Sequence, residues 1–543
     1  MCVLGIIAPA YYVNLITENA VNAPVWDDYD ALLLFLNHFL VTDSVAGRMA
    51  LVFIQHIEHR LVFLRLTGLT VFCLKGDLDF KWLCYIGNAG LVFLAYFLFS
   101  AFKSGRDFKL FYFTPVLFLL FQPQYHDTIL WPTALIPNAY VLLFALMTIV
   151  WIERRSRLAF VLASIFSVLT ILSQGNGILV FFVGLLALFL QRHYKRAAVW
   201  MLVSGLVLGG YFVRYTQMSG QAGVFSAFLN LKQTILHILC FAGSSLGFSS
   251  FYPSLICGIA IILYFVFLTV AKYYKDNPVL YSFFSFVLLS IGINALFRSG
   301  RGVEFVLSQS RYKFFSVFLV ILVYLSLYEK VRGKRFHFYV GLVGVMAAMT
   351  FFIASINLYS SRVEGNSENL RRGLLRWYVE GKGLSYPFIE KASQILRESM
   401  ERGVYRYPRE ILEEFSTTPD VFRQDRGEGN ILPFIDTIAE NDEYVYIDGW
   451  AFLEKRKGKK QRTRLVLKSP DHSLAFPTVT ITRPDLVVEY LSRDLKDSGF
   501  GVLVRKGLIQ PGRYEIGVYT EARIEDTVES GLWFSGKSID IKK

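Results

Sequence analysis

Two adjacent carboxylates in Trp26-Asp27-Asp28-Tyr29 are the residues of this chain best suited to chemistry. A carboxylate near a hydroxyl can take its proton, and two side by side can hold a divalent metal ion, the one cofactor these residues suggest. Glu58-His59-Arg60 adds an acid, an imidazole and a guanidinium. Further along, His126 and Asp127 precede Trp131, and Arg298, Arg301, Glu304 and Ser310-Arg311-Tyr312 complete the set. Arg60, Arg298, Arg301 and Arg311, with Tyr312 beside the last, are candidate phosphate partners because a guanidinium makes forked contacts with phosphate oxygens. A base for an incoming hydroxyl and cations for a departing phosphate are what transfer from a phosphate-linked donor needs. Each group also has a plainer reading. Asp27 and Asp28 can cap a helix beginning near Asp30, Glu58-His59-Arg60 can be a self-satisfied ion pair, Arg298 and Arg301 can be snorkelling anchors, and Gln174-Gly175-Asn176-Gly177 can be only a turn.

The elements that must position these residues are membrane helices. The chain has 543 residues, of which 54% are hydrophobic and only 18% charged, outside the balance of a soluble protein. Taking roughly 17 to 25 residues per crossing, apolar runs predict eleven spans at 2–16, 82–102, 108–121, 132–151, 158–172, 178–190, 197–213, 251–271, 278–297, 314–327 and 336–358. The run 61–74, interrupted by Arg65, is read as interfacial or re-entrant. Alternate loops are basic: Lys103/Arg106/Lys109, Arg154/Arg155/Arg157, Arg192/Lys195/Arg196, Lys272/Lys275 and Lys330/Arg332/Lys334/Arg335. The positive-inside rule makes these loops and the N-terminus cytoplasmic and puts the C-terminal domain outside. All the candidate residues in the membrane part then fall in outer loops. The formal charge of +13 is orientation charge, not a nucleic-acid footprint: up to Leu358 there are 26 Lys and Arg against 14 Asp and Glu, and after it 30 against 29. The five cysteines show no paired spacing and predict neither a disulfide framework nor a zinc site.

After residue 358 the composition becomes ordinary. Residues 359–428 read as a helical connector near the membrane. From 429 to 543 short β-rich runs separated by turns predict a soluble antiparallel β-sandwich. Trp450 in that part is either a glycan-stacking platform or a core residue, and the basic run 455–460 is most simply a solvated hairpin.

A first span followed by a long outer loop with paired acids, here Trp26-Asp27-Asp28-Tyr29, resembles the polytopic C-type glycosyltransferases that use polyprenyl-phosphate sugars. Glu58-His59-Arg60 and Ser310-Arg311-Tyr312 are similar to motifs of a bacterial branch of that superfamily, and the resemblance covers residues 2–358. It implies that Asp27 or Asp28 is a general base or metal ligand, that an outer-face cation holds the lipid phosphate, and that the sugar carbon is inverted. The motifs Ile447-Asp448-Gly449-Trp450-Ala451, Arg483-Pro484-Asp485 and Ser498-Gly499-Phe500 resemble a β-sandwich module attached to bacterial surface-polysaccharide proteins. The expectation is a glycosyltransferase of the bacterial inner membrane, with a polyprenyl-phosphate sugar donor, a glycan or lipid-linked glycan acceptor, membrane lipids around it and no nucleic-acid partner. Its rivals are an oligosaccharide polymerase or ligase, and a transporter or flippase of lipid-linked sugars.

Overall fold

The computed structural model describes residues 2–104, 108–154, 156–216, 230–333, 335–422, 430–454, 461–524 and 527–542. Arg106, Arg155 and Lys334 of the basic loops, the 455–460 run and the 428/429 boundary lie outside the described residues. The chain is mostly helical, with antiparallel sheets toward its C-terminus. It divides into two compact units. The first comprises Met1–Ala20, Asp27–Val363 and Arg402–Val404; the second comprises Val21–Trp26, Glu364–Glu401 and Tyr405–Lys543.

In the first unit each of the eleven apolar runs overlaps a helix. Among the described residues six helices are long and apolar enough to cross a membrane: Phe80–Ala101, Pro132–Ile152, Phe251–Val270, Pro278–Arg301, Ser310–Val331 and His337–Glu380. Apolar side chains let such helices sit in lipid, and the helical ladder satisfies their backbone groups internally. Their starts carry local signals. The Asp79 carboxylate accepts from the Lys81 and Trp82 amides at 3.0 and 3.3 Å, and Asn277 accepts from Leu280 N ahead of Pro278, as N-caps do.

Three features depart from the sequence reading. The last apolar run does not stop at Leu358 but belongs to a 44-residue helix, His337–Glu380, within which the two units divide. The 61–74 run is a 14-residue helix, Val62–Lys75, whose Arg65 donates to the carbonyls of Val52 and Ile54. A further helix, Leu231–Gly243, packs so tightly on Phe251–Val270 that a Cβ at Gly258 would lie 1.8 Å from Leu239 O. Lys232, Gln233, Thr234 and His237 interrupt its apolar run and hid it, while its close packing depends on glycine.

The helices have two polar ends of different character. At the basic end, Glu329 accepts from Tyr273 Oη at 2.7 Å and from Asn277 Nδ2 at 2.9 Å, while Asn277 also donates to Ala101 O. Three chain segments are tied there by one buried network.

Among its described residues the second unit holds nine strands: β1 (Asp420–Val421), β2 (Ile431–Glu440), β3 (Tyr444–Leu453), β4 (Gln461–Lys468), β5 (Ser473–Pro477), β6 (Val479–Ile481), β7 (Gly499–Arg505), β8 (Gly512–Ile524) and β9 (Thr527–Ile541). They form a five-stranded sheet, β1-β5-β4-β8-β9, and a four-stranded sheet, β2-β3-β7-β6, with antiparallel pairing throughout. Alternate residues of both sheets share one apolar cluster, with Val445, Ile447, Val502 and Val504 from one and Leu465, Leu467, Ile516 and Val518 from the other. That alternation is the period-2 pattern of half-buried strands. Strand β2 falls just after the stretch read as connector, and helices occupy Ile389–Glu401 and Arg409–Phe415 within it.

Candidate functional site

The candidate site lies in the first unit, where the N-termini of Pro132–Ile152 and Ser310–Val331 and the C-terminal end of Pro278–Arg298 supply side chains to one cluster. The backbone enters it under constraint. Trp26 takes φ 46°, a left-handed conformation unusual for an aromatic residue, and a π-helix, Tyr29–Leu34, follows directly. Such local departures gather at functional sites because surrounding structure must hold them.

The two acids of the pair have different surroundings. Asp28 is fully buried, and its Oδ1 accepts from Thr133 N at 3.0 Å and from the Thr133 hydroxyl. It therefore satisfies an orphan donor in the first turn of Pro132–Ile152 and sits at the positive end of that helix. Capping is the right description, but the helix capped is not its own: Asp28 makes no side-chain cap on the π-helix it precedes. Asp27 is half-buried, and among the described residues no hydrogen bond or ion pair engages its carboxylate. Burial pushes its pKa above the ordinary aspartate value, the positive fields of His56 and Arg311 oppose that shift, and Asp30 adds to it. A base that faces cations yet holds its proton more tightly than usual is suited to accepting one.

Arg311 is, with His56, one of the two cations whose positive field reaches Asp27. Its guanidinium lies 5.9 Å from the Trp131 ring centroid and 5.6 Å from that of Tyr312, and its buried Nε has no hydrogen-bond partner among the described residues. Arg298 is differently engaged, donating to Tyr312 Oη at 3.2 Å and standing 3.5 Å from Glu58 Oε1. Arg301 is exposed, over the Phe305 ring.

Arg60 is spent on structure. Its Nε donates to Tyr211 O at 2.8 Å, its Nη2 to Val213 O at 2.5 Å and its Nη1 to Phe53 O, so it closes the C-terminal end of the Tyr194–Phe212 helix. A cation at that end is favourable for the same reason that Asp28 is at the other kind of end. His59 pairs with His56 through both backbone amides, at 2.7 and 2.9 Å, and packs on the Gln174–Gly177 turn. A Cβ at Gly175 would come within 2.6 Å of His59 Nδ1. Burial pushes the imidazole down to about 4, against the pull of Glu58, so His59 is neutral at neutral pH. These contacts fix its backbone and pack its ring, while its buried Nδ1 has no hydrogen-bond partner among the described residues.

His126 and Asp127 form a second group. Their side chains approach at 2.9 Å, Asp127 Oδ2 accepts from Ser310 Oγ at 2.8 Å, and the His126 ring stacks 5.6 Å from that of Tyr359. Lys313, three residues beyond Ser310, donates to Tyr359 Oη at 3.1 Å. The sequence reading passed over Lys313 and Tyr359. A lysine opening an apolar run looks like an interfacial anchor, and the only signal against that was its place directly after Ser-Arg-Tyr.

The donor set does not fit the divalent metal that the acid pair suggested. Asp28 is turned to Thr133 while Asp27 faces cations, and among the described residues no three His, Cys, Asp or Glu side chains converge. In the second unit, Trp450 is half-buried and stacks on Phe434 and Phe452 at 6.2 and 5.6 Å, with Tyr490 edge-on. It belongs to an aromatic ladder against Leu486 and Leu495. No protein-family model, no curated protein and no solved structure matches this chain.

Proposed function

We propose that this protein is an inverting membrane glycosyltransferase that moves a sugar from a polyprenyl-phosphate donor to a cell-surface polysaccharide or lipid-linked glycan. On this reading it crosses a bacterial inner membrane eleven times, its second unit is an extracytoplasmic β-sandwich, and the candidate site opens on the outer face. The observation that carries the reading is the half-buried Asp27 carboxylate, engaged by no hydrogen bond among the described residues and lying in the positive field of Arg311. Asp27 takes the proton of the acceptor hydroxyl as that oxygen attacks the anomeric carbon. The bond from that carbon to the phosphate oxygen breaks, its electron pair leaves with the polyprenyl phosphate, and Arg311 meets the developing charge. Attack opposite the departing phosphate inverts the carbon.

The test is the sugar composition and linkage of surface polysaccharide, by mass spectrometry, in a deletion strain complemented with wild type or Asp27→Asn. Asp27 is changed alone because Asp28 supports a helix. Restoration of a missing sugar by wild type only is the expected result. Equal restoration by the variant would sink the transferase reading and favour transport of a lipid-linked sugar.

A further inference from the structure

The Gln174-Gly175-Asn176-Gly177 turn, between the Arg157–Ser173 and Leu179–Leu190 helices, is built more strictly than a connection requires. A Cβ at Gly177 would lie 2.3 Å from Thr170 O and one at Gly175 2.6 Å from His59 Nδ1, so both glycines are needed for the chain to pass. The two residues that alternate with them carry amides. Gln174 Nε2 donates to Asn138 Oδ1 at 3.1 Å, and Asn138 Nδ2 donates in turn to Ala134 O at 2.8 Å. Each amide is thereby oriented by the next, and Gln174 is left with its oxygen. Gln174 Oε1 and Asn176 Oδ1 are both buried, and among the described residues neither has a hydrogen-bond partner. The turn itself is half-buried, so it reaches the surface of the packed helices. A buried acceptor without a donor costs free energy, and two in one turn call for a ligand that brings donors.

Two separate links set this turn beside Asp27. Asn138 lies five residues beyond Thr133, about 7.5 Å along the same helix, and Thr133 is the residue that holds Asp28. The His59 ring against Gly175 belongs to a residue paired through its backbone with His56, whose field reaches Asp27. The chemistry of the turn sets the class of ligand. Gln174, Asn176 and Asn138 are uncharged, burial keeps His59 neutral, and the Glu58 carboxylate faces Arg298. A phosphate or carboxylate brings acceptors only, which two acceptor oxygens repel, whereas a hydroxyl brings a donor without a charge to desolvate. We propose that Gln174 and Asn176 are sugar-reading residues, their side-chain oxygens accepting hydrogen bonds from the hydroxyl groups of a neutral sugar ring. The inference rests on the proposed function, under which that ring belongs either to the donor or to the acceptor; both offer the same hydroxyls, and the test separates them.

The test uses the full chain in phosphatidylcholine nanodiscs and saturation-transfer NMR, with methyl hexopyranosides of the gluco, galacto and manno series as probes. The tightest of the three is then compared with its monodeoxy analogues. Asn176→Ala and Gln174→Ala are each expected to weaken binding about three- to tenfold, the worth of one hydrogen bond. For the analogue that lacks the hydroxyl meeting Asn176, Asn176→Ala should cost nothing further, because both changes remove the same bond. Asn176→Ala deletes an acceptor that folding leaves unsatisfied, so its thermal midpoint should hold, and it remains informative if loss of the Asn138 contact unfolds Gln174→Ala. No saturation transfer to wild type from any of the three probes would overturn the site. Wild-type affinity in the folded variants, or additive losses with every analogue, would overturn it too and leave the two oxygens to ordered water. The hexose 1-phosphate of the same series separates the two sources. If Arg311→Gln weakens it as the turn variants do, the ring is the donor's; if only the turn variants weaken it, the ring is the acceptor's, and either result upholds the turn as the sugar reader. Sugar transfer by Asp27→Asn would sink the functional reading, while loss of probe binding in the turn variants would still establish the sugar site.

Discussion

The two units each carry a dense group of charges, and the groups are built on opposite principles. In the second unit, Arg372 Nε donates to Asp448 Oδ2 at 2.9 Å and Tyr446 Oη donates to the same oxygen at 2.7 Å. Arg483 reaches Asp436 at 2.5 Å and Asp485 at 2.6 Å, and Arg372 approaches Asp436 at 3.6 Å. Every cation in that group faces a carboxylate, and the motifs around Asp448 and Arg483 meet there as a structural clasp. In the first unit, Asp27 lies in the positive field of Arg311, and among the described residues no ion pair joins the two. Charges closed on each other hold a fold, whereas charges left without ion pairs can act on a ligand.

The comparison is most exposed to failure at Asp27. Asp27→Asn is expected to lower transfer about a hundredfold to ten-thousandfold, the usual worth of a general base, while the unfolding midpoint in detergent holds or rises. The sign follows from linkage. A carboxyl whose folded pKa is raised stabilises the fold fully below the unfolded value of 3.8 and loses that contribution as pH rises through the folded value. At neutral pH the wild-type charge therefore works against folding, and the amide removes it. A large drop in midpoint would place Asp27 with the closed charges.

Arg372→Met should do the reverse. It leaves Asp448 buried without its cation and is expected to destabilise the second unit by about 3 kcal/mol, the low end for breaking a buried pair. Limited proteolysis of the sheets would report this, and transfer by molecules that remain folded should be little changed. Unaltered protease resistance would mean that the clasp adds nothing to the fold.

How far these roles were legible in the sequence depends on where each partner lies along the chain. Apolar runs foretold the helices and period-2 alternation foretold the strands, because both signals are local. Asp27 and Asp28 are indistinguishable in a string of letters: what separates them is Thr133, which is 105 positions away. Arg60 and Arg311 look alike for the same reason, since carbonyls of Tyr211 and Val213 consume the first and nothing near Arg60 in sequence announces them. The Leu231–Gly243 helix escaped because Lys232, Gln233, Thr234 and His237 break its apolar run and its defining feature, close contact at Gly258, is tertiary. Asp28→Ala sharpens the distinction within the pair. It should cost about 1 kcal/mol through loss of a helix cap, and Asp28→Asn, which keeps an acceptor for Thr133, should cost less. Thermal midpoints would separate them, and an Asp28→Asn variant that is stable but inactive would return this residue to the chemistry.

The smallest expected effect concerns His59, whose backbone is paired with His56 while its buried Nδ1 has no hydrogen-bond partner among the described residues. Burial lowers its pKa from 6.5 to about 4 in the folded chain, so the unfolded chain binds the proton more readily. Its contribution to stability is therefore present above about 6.5 and is lost as pH falls toward 4. His59→Gln removes the titrating group while retaining a side chain that can pack near Gly175. The variant's midpoint should fall less steeply than that of wild type between those pH values, with transfer at neutral pH nearly unchanged. A neutral imidazole that merely packs can be replaced in this way, whereas one that relays protons cannot, so loss of transfer with a wild-type midpoint would move His59 across the divide.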